Sequence, residues 1–405
     1  MCLIPKLKLS EKGLVNNKNE QEKVMIKKSI VTLMCVVMLA FGSGCPEVGI
    51  IEDGLVDLDK VPQLEIIDVS ANTITMSSQD SSPVSVGDVI VAMNPSMKSG
   101  DIFDSNTNGL LRRVTAMFQK GSDITVQTEK ADLTDVVENG TLLQTIDFSP
   151  DVYAKSGLKM SKMNFIDLSG TDIYRDYGIA LTIANGTLDC NPEVTLFSTF
   201  ENFKLEQFNL NIDGDLALDI DLQIAVDEGY TLAFEDDIIP PIVYPFATAI
   251  GPLPVYGAAT LSFPFGVIGT FDGDTSAMYG CDITNEFLVN IAYDGDGWVK
   301  TSDLNNWQVY EHPLVWSVDI GFGVEVYMKA IVEVSLYESA ELGLFVKPYL
   351  NTDLHIVPSP ASLVMTIGVD GGGWYGLEIF GIDLLGDSFY LNGPTYEILR
   401  EYQLY

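Results

Sequence analysis

The stretch FNLNIDGDLALDIDLQIAV, residues 208–226, is apolar at every even position except Gly214 and polar or acidic at most odd ones. A period of two is the pattern of a strand with one face buried and the other wet. Asp213-Gly214 within it is a strong two-residue hairpin signal. Such a turn would set Ile212 against Asp215 and Leu210 against Ala217, so apolar and polar residues would share a face. A buried face forbids that register. A three-residue loop at 213–215 would keep the pattern but misplace its glycine. The sequence therefore predicts one continuous strand, with Gly214 as the place for a bulge. At about 3.3 Å per residue it would extend roughly 60 Å, which calls for an elongated sheet.

A second alternating run covers residues 324–346, where only Glu338 interrupts the apolar even positions. Helical periodicity is nearly absent. The best helix candidate is TYEILREYQLY at the C-terminus, and residues 133–139 suit a single helical turn. The expected fold class is mainly β, with elongated antiparallel sheets forming a sandwich or open barrel. A small N-terminal β-barrel or sandwich unit precedes it, built from short strand-like runs separated by Asn, Gly, Ser and Asp. The boundaries expected are an acidic tether over 45–62, the small unit over 63–148 and the large unit over 149–405.

Upstream, Met25-Ile26-Lys27-Lys28 is basic, and residues 30–41 form an apolar run too short to span a bilayer as a helix, which takes about 20 residues. Gly42-Ser43-Gly44-Cys45 follows. This order is that of a secretory signal peptide over residues 1–44, with Met25 as the expected true start. The segment 25–45 resembles the lipobox signal of bacterial lipoproteins. Gly42 departs from the usual Leu, while the small Ser43 and Gly44 fit. The resemblance implies lipidation of Cys45, anchoring on a membrane without crossing it, and export to the outer membrane or cell surface, with the periplasmic face as the other option.

Loss of residues 1–44 removes seven lysines and three glutamates, leaving 15 basic and 54 acidic residues and a net charge near −39. Such a surface repels nucleic acid and anionic lipid, and suits cation binding or a salty exterior. Cys190 and Cys281 are the two cysteines beyond the lipobox. In an oxidising compartment a disulfide between them is expected, with two buried thiols as the alternative.

Candidate chemistry is sparse. Asp213, Asp215, Asp219 and Asp221 share the wet face, as a solvated surface, a cation site or an acid/base pair. Asp104, Asn106 and Asn108 in DSNTNG match the first half of a calcium-binding EF-hand loop, but Thr115 stands where its twelfth ligand, Glu, belongs. A plain turn explains the segment equally well. Calcium is thus the one candidate cofactor, against none at all. His312 and His355 are the only histidines, too few for an imidazole-rich zinc site, and GxSxG, HExxH and phosphate-loop motifs are absent. Trp298, Trp307 and Trp316 fall within 19 residues, as core anchors or as a binding platform. Residues 238–271 carry no charge at all; they suit core strands, an apolar groove or a membrane hairpin.

The resulting expectation is an exported, lipid-anchored protein with a non-catalytic binding or scaffold role and no nucleic-acid partner. Two alternatives stay open. One is a carrier for an apolar ligand in a β groove. The other is a glycan-binding or glycan-cleaving protein with Asp219 or Asp221 in a cleft near the tryptophans. A protein partner fits the scaffold role.

Overall fold

The computed structural model describes residues 54–78, 82–93, 109–149, 166–227, 229–271, 275–312, 315–318, 321–337, 340–355, 361–376, 380 and 387–402. Among them there are three sheets and no α-helix. The mainly β expectation holds. Residues 49–405 form one compact unit.

The first sheet holds β1 (Leu55–Asp57), β2 (Leu64–Ser70), β3 (Thr73–Ser78), β4 (Val89–Ala92), β5 (Leu110–Lys120) and β6 (Asp123–Lys130) in the order β1-β4-β5-β6-β3-β2. β1 runs parallel to β4; the other pairs are antiparallel. Ile74, Met76, Ile90 and Val126 fill its own small core. The tether expected over 45–62 is corrected here: Leu55–Asp57 is a strand, and Leu58 in the following 3-10 turn is buried. The expected helical turn after β6 is a 3-10 turn, Leu133–Asp135.

The second sheet is built on three long strands: β10 (Ile179–Glu201), β11 (Lys204–Val226) and β16 (Thr275–Tyr293). β7 (Gly140–Asp147), β8 (Ile166–Asp167) and β9 (Thr171–Asp176) line the free side of β10 end to end. β17 (Trp298–Glu311) and β18 (Val315–Val318) line β16 in the same way. β7 was expected to close the small unit. It pairs instead with β10, and one hydrophobic core contains Val91 and Leu111 of the first sheet together with Leu210 and Val334. The boundary at residue 148 therefore runs through a shared core, beside the first sheet's own small one.

The third sheet runs β12 (Tyr230–Asp237), β15 (Pro264–Phe271), β19 (Gly321–Met328), β21 (Ala340–His355), β20 (Ala330–Leu336), β14 (Leu253–Ser262), β13 (Ile242–Ile250). β22 (Ala361–Gly376) adds to β21, and β23 (Asp387–Leu391) and β24 (Thr395–Tyr402) add to β22. The helix expected at the C-terminus is thus a strand. Eight residues of β24 pair with residues 361–368 of β22, and that ladder overrides a weak local helix preference. The run 324–346 divides into β19, β20 and part of β21. β20 and β21 pair with Leu336 against Ala340 and Val334 against Leu342, so even residues still face even ones.

The same parity rule governs β10 and β11. Their two-residue turn, Asn202-Phe203, would put even residues opposite odd ones, but a register shift between Thr199 and Phe200 sets Leu196 against Leu210 and Leu188 against Leu218. A second shift, between Ile183 and Asn185, reverses it, so Ile179, Leu181 and Ile183 take over the buried positions from Leu188 and Val194. A one-residue bulge flips every later side chain. β11 itself is unbroken, and Gly214 carries no bulge: Pro192 faces it from β10 and Phe287 from β16 in regular register. A Cβ at Gly214 would lie 2.7 Å from the Asn191 carbonyl oxygen and 2.9 Å from the Pro192 Cα. Pro192 is tolerated mid-strand because its carbonyl accepts from Phe148 on the side away from β11. N–H and C=O of one strand residue point the same way, so no β10–β11 ladder bond is lost.

The second and third sheets face each other. Leu218, Ile220 and Cys281 meet Phe265, Val326 and Leu350 around a cavity of about 20 Å³. Ile212 and Phe287 meet Leu261 and Val332 around another of about 10 Å³. Each has room for about one water. β14 accounts for the middle of the uncharged segment. Val255, Ala259 and Leu261 join the core between the sheets, while Tyr256 on the other face lies against Gly109, just before β5, so both faces are buried.

Replacing Gly214 by Val is expected to lower stability by about 1–3 kcal/mol through overpacking against β10. Asp215→Asn on the wet face should change it by less than about 0.5 kcal/mol. Urea midpoints of the two variants check this; equal midpoints would contradict the close approach.

Candidate functional site

Among the described residues, the wet face of the second sheet carries one side-chain cluster with recognisable chemistry. Thr187, Asp219, Asp282 and Tyr310 stand side by side on β10, β11, β16 and β17. One step along, Asn185, Asp221 and Gly280 form the next row. His312 leaves the end of β17, where its N–H donates to the Gly280 carbonyl at 2.9 Å. A Cβ on Gly280 would meet the Asp221 carboxylate at 2.7 Å and the His312 ring at 2.9 Å, so the missing side chain makes the seat for the imidazole.

His312 sits between two carboxylates. Its Nδ1 lies 2.7 Å from Asp221 Oδ1 and its Nε2 2.8 Å from Asp282 Oδ1. Asn185 donates to the other oxygen of Asp221 at 3.0 Å. Burial pulls the imidazole toward its neutral form, but the hydrogen bonds to Asp221 and Asp282 and their charges outweigh it and raise its pKa above 6.5. Burial would also raise Asp221, yet the hydrogen bonds from Asn185 and His312, with the charge of His312, bring it below 3.8. Asp219 moves upward. Burial raises it first, the charge of Asp282 and a hydrogen bond shared with Asp282 add to this, and His312 offsets part. One ligand atom each of Asp219, Asp282 and His312 lies within 4.8 Å of the other two. Both ring nitrogens face carboxylates, so His312 activates no hydroxyl or thiol in this arrangement. The cluster can act as a charged clasp or hold a cation.

The other expected residues fall elsewhere. Cys45, Asp104, Asn106 and Asn108 lie outside the described residues. The disulfide expectation is corrected: Cys190 and Cys281 are both buried and not joined. Cys190 stands opposite Leu216 and Cys281 opposite Ile220, on the two flanks of β11. Strand spacings of about 4.8 Å and a rise of about 3.3 Å put their Cα atoms roughly 16 Å apart, beyond the about 7 Å limit for a bridge. Burial, then the nearby Asp charges, pushes the Cys281 thiol up to about 12, so it stays protonated. Trp298 stacks on Tyr375 at 4.9 Å and contacts Tyr293 at 5.1 Å; it and Trp307 pack half-buried against the core. Trp316 pairs with Ala277 through β18; its side chain is not among those described. Asp213 and Asp215 remain on the wet face away from His312. Asp294 caps its own loop by accepting from the N–H groups of Asp296 and Gly297.

Sequence reasoning named Asp219 and Asp221 but missed Asp282, Asn185 and the joining role of His312. Strand alternation would place Asp282 outward, but its partner comes from β11, about sixty residues away in the chain. Comparison with family models, curated proteins and solved structures returns no match for this chain.

With its folded pKa raised, His312 contributes stability that is fully present below about pH 6.5 and fades as pH rises through the folded value. In chelator, His312→Gln should therefore lower the urea midpoint most near pH 5.5 and least near pH 9. An equal loss at both pH values would contradict the imidazolium clasp.

Proposed function

We propose that this protein is an exported, lipid-anchored binding protein without catalytic activity, and that it makes its contacts on the outer faces of a rigid β sandwich. The observation that supports this reading is the filled interior. Among the described residues, the two cavities between the facing sheets hold about 20 and 10 Å³, against the several hundred Å³ of a small-molecule pocket. That weighs against a carrier of an apolar ligand, because the alternating faces are occupied by each other. The lipobox-like segment before Cys45 supports anchoring, and the negative surface supports an exterior life.

A glycan is the second reading, supported by one feature. Tyr177 is 74% exposed, at a hairpin tip with φ of +49°, and lies near-parallel to Tyr230 with ring centroids 6.4 Å apart. A non-glycine residue rarely takes that backbone conformation, and exposed parallel rings suit stacking against sugar faces.

Radiolabelled palmitate should join the exported product and be lost on Cys45→Ala, while a fluorescent fatty acid should find no saturable site. Failure of labelling, or saturable uptake, would overturn the respective half of the proposal. A glycan array tests the second reading, with binding expected to disappear on Tyr177→Ala.

A further inference from the structure

We infer that Asp219, Asp282 and His312 form a site for a first-row divalent transition-metal ion, with Zn²⁺ as the fitting probe; this rests on the outer sheet face being a binding surface. Three features carry the inference. The first is composition. The set combines one imidazole nitrogen with two carboxylates whose ligand atoms lie within 4.8 Å of one another. Three protein ligands with an open fourth position match the stoichiometry of solvent-accessible zinc sites.

The second is orientation. Asp221 holds Nδ1 of His312 at 2.7 Å and thereby aims Nε2 at Asp282, and Asn185 in turn holds Asp221 at 3.0 Å. A carboxylate behind a histidine is the usual device for fixing the ring and raising its basicity toward a metal. Asp221 is not needed to ligate; it positions. The third is room. Gly280 leaves the imidazole its seat, and the bulge at Ala184 turns Asn185 outward toward Asp221.

The His312–Asp282 pair needs only a small adjustment, while Asp219, within 4.8 Å of both, would have to swing in to the same spacing. With metal–ligand bonds of about 2.0–2.1 Å at a tetrahedral angle, two ligand atoms lie roughly 3.4 Å apart. The 2.8 Å between His312 Nε2 and Asp282 Oδ1 would widen by about half an ångström, within the swing of a carboxylate. The ion then takes the place of the proton between them. Calcium fits poorly, because it takes six to eight oxygens, and an imidazole favours zinc over calcium or magnesium.

The test uses the full chain purified in detergent and stripped with chelator, then titrated calorimetrically with Zn²⁺, Ca²⁺ and Mg²⁺. The expected result is one tight Zn²⁺ per chain, unaffected by Ca²⁺ or Mg²⁺. His312→Gln and Asp282→Asn should each weaken it at least tenfold, Asp221→Asn about 10–100-fold, and Asp213→Asn not at all. Near-UV circular dichroism of each zinc-free variant shows that it is folded. Absence of a saturable tight phase, or a phase indifferent to His312→Gln and Asp282→Asn, overturns the site. Palmitate labelling is read separately, so losing the metal site would leave the anchored-protein reading standing, and the reverse holds too.

Discussion

The contact between the apolar faces of the second and third sheets is the interaction on which the rest of this molecule depends. It is made by Leu210, Ile212, Leu218 and Ile220 on one side and Phe265, Val326, Val332 and Leu350 on the other. A period of two makes that contact all-or-none for each strand, since a slip of one residue would replace Ile220 by Asp219 or Asp221. The chain maintains parity locally by several devices. The spacing of Leu336 and Ala340 does so between β20 and β21, and register shifts between Thr199 and Phe200 and at Ala184 do so between β10 and β11. β17 has its own shift between the partners of Glu286 and Leu288, where Asn285 donates to the carbonyls of Leu304 and Asn306.

Those irregularities also shape the wet face. The shift at Ala184 lets the apolar positions of β10 change from even to odd, and it leaves Asn185 exposed opposite Asp221. Bulges commonly re-aim a side chain in this way. The end of β17 and the glycine at 280 then bring a histidine into the space beside it. The charged cluster is therefore a consequence of how the sheet preserves its buried face. The outer face of the third sheet differs. There Tyr327, Tyr349 and Trp374 lie across Gly266, Gly368 and Gly343, and Lys347 sits 4.0 Å over the Tyr327 ring while pairing with Glu325. Rings that cover glycines close gaps in the sheet and are thereby less available as a platform.

Much of the fold was legible from alternation alone, because burial acts on each strand separately and leaves its mark residue by residue. The continuous β11 and its buried even residues followed from one argument about Asp213-Gly214. Gly214, expected as the place for a bulge, lies instead in regular register, and its role is visible only with Pro192 opposite it. The C-terminal strand was misread as helix because its eight residues carry little pattern without β22 beside them. The cysteines were misjudged for a related reason. Composition and compartment favour a bridge, but distance decides, and both residues were committed to opposite flanks of the same strand.

What the sequence determined by itself is the alternation: a mainly β chain, negative outside, with the hidden and wet residues of its longest strands already sorted. Period two is a local property, and hydrophobic burial enforces it wherever the partner comes from. Only the tertiary structure decided which strands meet, that the apolar faces of the second and third sheets pack on each other, and that His312 lies between Asp221 and Asp282. Those outcomes depend on registers between segments 30 to 90 residues apart in the chain, and no single segment's own pattern encodes which partner it will face.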